Sequence, residues 1–250
     1  MPEIEQLLSQ FPKERPALSP DMAAVHMDIL KANRERRYFL AKISNFLESW
    51  MHRRTAGKRN GHAGDSLLEI GAGTLNHVPY EDGTIHYDAI EPFRDLYLDK
   101  SGKDKIRTFY SDISEVDPAQ TYDRIVSVAT LEHLTDLPYS IAKSGLLLNE
   151  GGVFQSGIPS EGGLLWGLSW RFTTAVAFYL KTGLAFSDHM RYEHVNDAKE
   201  IIAILKYFFE SVRVRRFPLP SHHLSLYVYL EAKDPNIERC REFLKEHAGA

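Results

Sequence analysis

The chain has 250 residues, 43% hydrophobic and 26% charged, with a formal net charge of -4, which suits one α/β domain with an extension and an ordinary core; a second full domain is not expected. The negative balance argues against nucleic acid as a partner, because a phosphate backbone calls for a basic face. The single cysteine, Cys240, excludes an intramolecular disulfide and a cysteine-based zinc cluster, and it fits a reducing, cytoplasmic setting.

Residues 1–64 read as an N-terminal arm and a helical extension. Pro2, Pro12 and Pro16 suggest a loosely held arm. Ser19-Pro20-Asp21 is a helix start, with a serine cap and proline at the first helical position. Helical spacing of Phe39, Ile43, Phe46, Leu47 and Trp50 predicts one long helix or two consecutive ones over Met22–His52. Arg53-Arg54, Lys58-Arg59 and glycines 57, 61 and 64 then form a basic, flexible linker. The acidic opening, Met1-Pro2-Glu3-Ile4-Glu5-Gln6, lacks the signature of a secretion signal, and no export is expected.

The core is expected over 65–233. Leu67-Leu68-Glu69-Ile70 is an apolar run ending in Gly71-Ala72-Gly73, a buried strand delivering its carboxyl end into a tight, ligand-approaching turn. The next strand, Thr84–Ile90, ends in Glu91, where nucleotide-binding units hold a ribose hydroxyl pair. A third, Lys105–Tyr110, leads to Ser111-Asp112-Ile113, whose carboxylate and adjacent backbone N–H suit an adenine ring. Alternating strands and helices up to Tyr122 predict a parallel sheet. Arg124–Ala129 is the fourth strand, Leu137–Asn149 a helix stopped by Gly151-Gly152, and Val153–Pro159 the fifth strand.

After Pro159 the rhythm breaks. The insertion 160–188 carries Trp166, Trp170, Phe172, Phe178 and Tyr179, and long insertions beyond a strand's carboxyl end are where such folds build acceptor pockets and lids. Its aromatic content equally suits a lid helix's packing face or a surface resting on lipid headgroups. Arg171 interrupts Leu164–Leu180, which falls short of the ~18 apolar residues of a span, so no transmembrane segment is expected. His189-Met190-Arg191-Tyr192 then precedes a helix over Asp197–Phe208, Val212–Phe217 and Leu224–Glu231 form a terminal strand pair, and 234–250 is a short charged helix or tail.

The dinucleotide fingerprint is incomplete, since Asn76 stands at its third glycine, and the phosphate-loop ending is absent. A nicotinamide-dependent oxidoreductase is thereby disfavoured. The set Leu68-Glu69-Ile70-Gly71-Ala72-Gly73, Ile90-Glu91-Pro92, Ser111-Asp112-Ile113 and Tyr122–Leu134 strongly resembles the class I S-adenosylmethionine-dependent methyltransferases, especially the branch acting on small molecules. The resemblance spans about 65–233 and implies a Rossmann-like, mostly parallel sheet of seven strands with helices on both faces. It implies that Glu69, Gly71 and Gly73 line the methionine end of S-adenosylmethionine, that Glu91 holds the ribose, that Asp112 and Ile113 frame the adenine, and that Ala129 lies beside the sulfonium. Many members carry a third glycine where this chain has Leu75.

Methyl transfer to a hydroxyl calls for a base, and His133, just past the fourth strand, is the candidate. Trp166, Trp170, His189, Arg191 and Tyr192 are the acceptor candidates, for a small molecule or a saccharide whose rings suit aromatic faces. No histidine spacing matches a helix-based ligand pattern, so metal-independent transfer is expected. A catalytically silent relative that binds the cofactor, or a partner through the aromatic insertion, is the alternative from another class.

Overall fold

The computed structural model describes residues 2–35, 49–57, 66–81 and 86–247. Strands β1 (Leu67–Ile70), β2 (Tyr87–Ile90), β3 (Thr108–Tyr110), β4 (Tyr122–Val128), β5 (Leu148–Pro159), β6 (Phe209–Pro218) and β7 (Ser225–Pro235) form one sheet in the order β3-β2-β1-β4-β5-β7-β6. β1 lies parallel between β2 and β4, with Leu67 opposite both Tyr87 and Arg124. β7 runs antiparallel to both of its neighbours, so the terminal pair closes the sheet as expected. Every residue of β1 is buried, as an apolar strand covered on both faces must be.

Alternation along the strands splits the core in two. Leu68, Ile70, Ile125 and Phe154 face α4 (Leu137–Leu147), α8 (Ala198–Phe208) and α9 (Ile237–His247). Asp197 caps α8, accepting from the Lys199 and Glu200 amides while Glu200 reaches back to the Asp197 amide. Cys240 of α9 is buried, where a Cβ on Gly145 would lie 2.9 Å from its sulfur. The other face gathers Leu67, Tyr87, Ala89, Val126 and Val128 under Met51 of helix 49–55 (α3).

The chain departs from strict strand–helix alternation on that second face. The described residues between β1 and β4 contain 3₁₀ turns at Val78–Tyr80, Arg94–Leu96, Lys103–Lys105 and Ile113–Glu115 and no α-helix. The covering layer comes instead from α3 and from side chains of these turns, including Val78 and the Tyr97–Phe109 stack. A buried ion network fastens α3 there. The Arg124 guanidinium, fully buried, donates to both oxygens of Glu81 (2.8 and 3.0 Å), to Gln155 Oε1 (3.2 Å) and to the Thr55 carbonyl (2.5 Å). Glu81 also accepts from the Gly57 amide and meets His77 Nε2 at 2.8 Å. Thr55, Ala56 and Gly57 are therefore buried rather than part of a flexible linker; 58–65 lie outside the described residues.

The N-terminal arm is not loosely held. After α1 (Pro2–Leu8), Phe11 is buried in the main core, Lys13 pairs with Glu200 at 2.8 Å, and Arg15 donates to the carbonyls of His133, Tyr192 and Glu193. The predicted helix start at Ser19 holds, with α2 over Pro20–Glu35 and Ser19 Oγ accepting from the Met22 amide. Phe39, Ile43, Phe46 and Leu47 lie outside the described residues, while Trp50 sits in α3 against Phe217. The insertion folds into three helices, α5 (Leu164–Phe172), α6 (Thr174–Thr182) and α7 (Phe186–Glu193), so His189–Tyr192 lies within a helix.

Candidate functional site

The carboxyl ends of β1, β2 and β4 meet at the glycine turn. Gly71 (φ 76°) places its amide on the Ile90 carbonyl, and its missing side chain leaves room for Thr130: a Cβ there would lie 2.3 Å from the Thr130 hydroxyl and methyl. Gly73 (φ 49°) has nothing within 4 Å of where a Cβ would be, so its backbone stands open to approach. Leu75, where many family members carry glycine, takes φ 62°, the left-handed conformation that glycine adopts without cost. Its side chain is buried among Val78, Ala89 and their neighbours, and that packing offsets the strain.

Glu91 closes the turn. Its carboxylate accepts from the Gly73 amide (2.8 Å) and the Phe93 amide (2.9 Å), and burial raises its pKa against the opposing pull of those two amides. Each oxygen keeps a second lone pair for a ligand hydroxyl. Glu69 is fully buried and accepts from the Tyr87 hydroxyl at 2.5 Å; burial pushes its carboxyl up to about 8, so it is largely neutral at pH 7. At the end of β3, Asp112 is exposed and accepts from the Ser114 amide (2.8 Å), and Ile113 is buried beneath it. Ala129 (φ 50°), exposed at the tip of β4, donates its amide to the Gly157 carbonyl at 2.8 Å.

The five residues after β4 lead from this turn to a second polar centre. Thr130 covers Gly71, and His133 stands among Glu132, Glu193 and His194. His133 Nδ1 lies 2.8 Å from the Glu193 carbonyl and 3.3 Å from its carboxylate, which assigns that nitrogen as the donor. Burial pulls the His133 pKa down, but the Glu193 hydrogen bonds and the Glu132 charge outweigh it and hold the pKa above its ordinary value. Burial also opposes ionising Glu193, yet the His133 hydrogen bond and the surrounding imidazoles hold its carboxyl down at about 2. His194 pairs with Glu161, and Asn196 donates to the Leu131 and Leu134 carbonyls, fixing the turn that carries His133.

The five acceptor candidates separate. Arg191 and Trp170 line a cleft of ≈ 200 Å³ with Glu161 and His194, and Arg191 and His194 also border a wider one of ≈ 390 Å³ against the arm. Tyr192 packs on His26 and under the Arg15 guanidinium. Trp166 lies edge-on against Tyr227, and His189 is buried between Phe186, Phe178 and His26. The neighbours that complete this centre, His26 on α2 and Arg15 on the arm, carry no signal in the sequence, where nothing ties them to a segment 160 or more residues away.

No family model and no curated protein sequence matches the chain. Solved structures do. The plantazolicin methyltransferase BpumL, in complex with a monoazolic desmethylPZN analog and S-adenosylhomocysteine, superposes with a TM-score of 0.56 at 12% identity, over 93% of this chain and 98% of that one. The N-methyltransferase NodS from Bradyrhizobium japonicum WM9 superposes at 0.51 and 14% identity, over 77% and 98%. An S-adenosylmethionine-dependent methyltransferase from Thermotoga maritima gives 0.52 and 17%, over 80% and 95%. The chain has the fold of S-adenosylmethionine-dependent methyltransferases. At these identities the likeness carries the fold, and the chemistry rests on the site itself.

Proposed function

We infer that this protein transfers a methyl group from S-adenosylmethionine to a small-molecule or saccharide acceptor, at a hydroxyl. The observation that carries the reading is the Glu91 clasp: a buried carboxylate bonded to the Gly73 and Phe93 amides beside a backbone that stands open at Gly73. The residues fit the cofactor. Glu91 would take the ribose hydroxyls on its remaining lone pairs, Asp112 and Ile113 would frame the adenine, and Glu69, Gly71 and Gly73 would border the methionine end, with Ala129 next to the sulfonium. When bound, the cofactor supplies an activated methyl group, so the reaction is an in-line displacement governed mainly by orientation.

The protein's part is to place the acceptor oxygen and receive its proton. With Nδ1–H of His133 donated to Glu193, Nε2 is the nitrogen that accepts the proton. Arg191 and Trp170, at the cleft bordered by His194, would hold the acceptor, and His189 and Tyr192, on the same helix as Arg191, would support that wall. Glu91→Ala tests the reading: it should weaken S-adenosylhomocysteine binding by on the order of 10-fold or more, the loss of one or two charge-assisted hydrogen bonds. Unchanged affinity would remove the ribose assignment.

A second reading is favoured by the face of the α5–α6 hairpin. Leu164, Leu168, Phe172, Val176, Tyr179 and Leu180 are all exposed there, and the hairpin's charges, Arg171 and Lys181, are both basic. A cofactor-binding protein that engages a lipid surface or a partner through this face fits that pattern. Co-sedimentation with anionic vesicles that disappears in Phe172→Glu would support it, and no sedimentation would refute the lipid form.

A further inference from the structure

We propose that His26, His189 and Glu193 form a binding site for a single divalent cation of the zinc type. α2 contributes His26, while α7 contributes His189 and Glu193, four residues apart and thus on one helical face. One ligand atom from each lies within 4.8 Å of the others. Ligands ~2.1 Å from a tetrahedral zinc ion stand about 3.4 Å apart. A pair at the 4.8 Å limit therefore has to close by about 1.4 Å, which rotation of the His and Glu side chains supplies.

The hydrogen-bonding ledger points the same way. His26 Nδ1 sits 3.2 Å from Glu193 Oε1, but the angles do not make a hydrogen bond, and His189 Nδ1 has no partner either. Both nitrogens are buried, and a buried unpartnered nitrogen is costly. A cation would use both imidazole lone pairs and the carboxylate together. Two imidazoles and one carboxylate are a known zinc set, whereas magnesium and calcium favour oxygen ligands. The surroundings suit a held ligand: the second Glu193 oxygen lies 3.3 Å from His133 Nδ1, as an outer partner of a metal-bound carboxylate does, and Phe186 and Phe178 wall the His189 ring. Three protein ligands leave one position on a four-coordinate ion for water.

The test uses the full chain, stripped with a chelator and titrated calorimetrically with Zn²⁺, with Mg²⁺ as the comparison. The site predicts one equivalent of Zn²⁺, a higher melting temperature with Zn²⁺ present, and weak or no response to Mg²⁺. His26→Ala and His189→Phe should each weaken binding by on the order of 100-fold, the loss of one of three ligands. Phenylalanine matches the neighbours of His189 and guards against loss of fold, and His223→Ala, at an exposed histidine, should leave binding unchanged. Absence of Zn²⁺ binding by the wild type, or wild-type affinity retained in His26→Ala or His189→Phe, would overturn the site. No methyl donor or acceptor enters the measurement, so its outcome is independent of the proposed transfer.

Discussion

Glu69 makes the protein's stability depend on pH in a direction opposite to that of most carboxylates. Its carboxyl sits in the sheet with a pKa raised from 4.5 to about 8 by burial, so between those values the folded protein holds a proton that the unfolded chain releases. Stability from this group is complete below pH 4.5 and is lost as the pH rises through 8. At 1.36 kcal/mol per unit, the shift sets an upper bound of roughly 5 kcal/mol. Glu69→Gln keeps an acceptor for the Tyr87 hydroxyl and removes the titration. The variant and the wild type should coincide near pH 5 and separate toward pH 9, with the variant the more stable. Even a third of the bound corresponds to about 3–6 °C for a chain of this size. Thermal unfolding by circular dichroism across pH 5–9 reads the difference directly, cancelling histidines common to both proteins. Parallel curves, or a wild type that gains on the variant as pH rises, would refute the reasoning.

Three further outcomes follow from named contacts. Arg124→Ala leaves Glu81 buried beside His77 without its bidentate partner, which should cost about 3–5 kcal/mol in denaturant unfolding; a loss below 1 kcal/mol would mean that the network contributes little. Gly71→Ala must displace Thr130 and hold φ 76°, whereas Gly73→Ala carries only the left-handed penalty of about 1–2 kcal/mol, so melting temperature should fall further for the former. Equal losses would show that Thr130 yields freely. His133→Ala should lower methyl-transfer turnover by about 10²–10⁴-fold while S-adenosylhomocysteine affinity stays the same, measured by coupled assay and calorimetry; an unaltered rate removes it from the mechanism.

The parts of the fold written in short-range pattern were legible in the sequence. The apolar run into Gly71-Ala72-Gly73, the acids at Glu91 and Asp112, and the capped helix after Asp197 carry their own local physics, and the structure places each at the end or start of the expected element. Leu75 stands in the sequence as a departure from the family pattern, and its positive φ shows how the turn is kept without the third glycine. What could not be read depends on distant partners. The arm is anchored by Lys13 on Glu200 and Arg15 on backbone carbonyls near 133 and 193, and no local signal announces such bonds. Likewise Arg124 and Glu81 look like a strand residue and a turn acid until the sheet brings them together. His26 joins His189 and Glu193 only through the packing of α2 on α7.

The central claim is that the glycine turn and Glu91 hold S-adenosylmethionine. Isothermal titration against S-adenosylmethionine, S-adenosylhomocysteine and NADH tests it most directly. The account predicts micromolar binding of both sulfur ligands and none of NADH. Binding of NADH alone, or of no ligand, would contradict it.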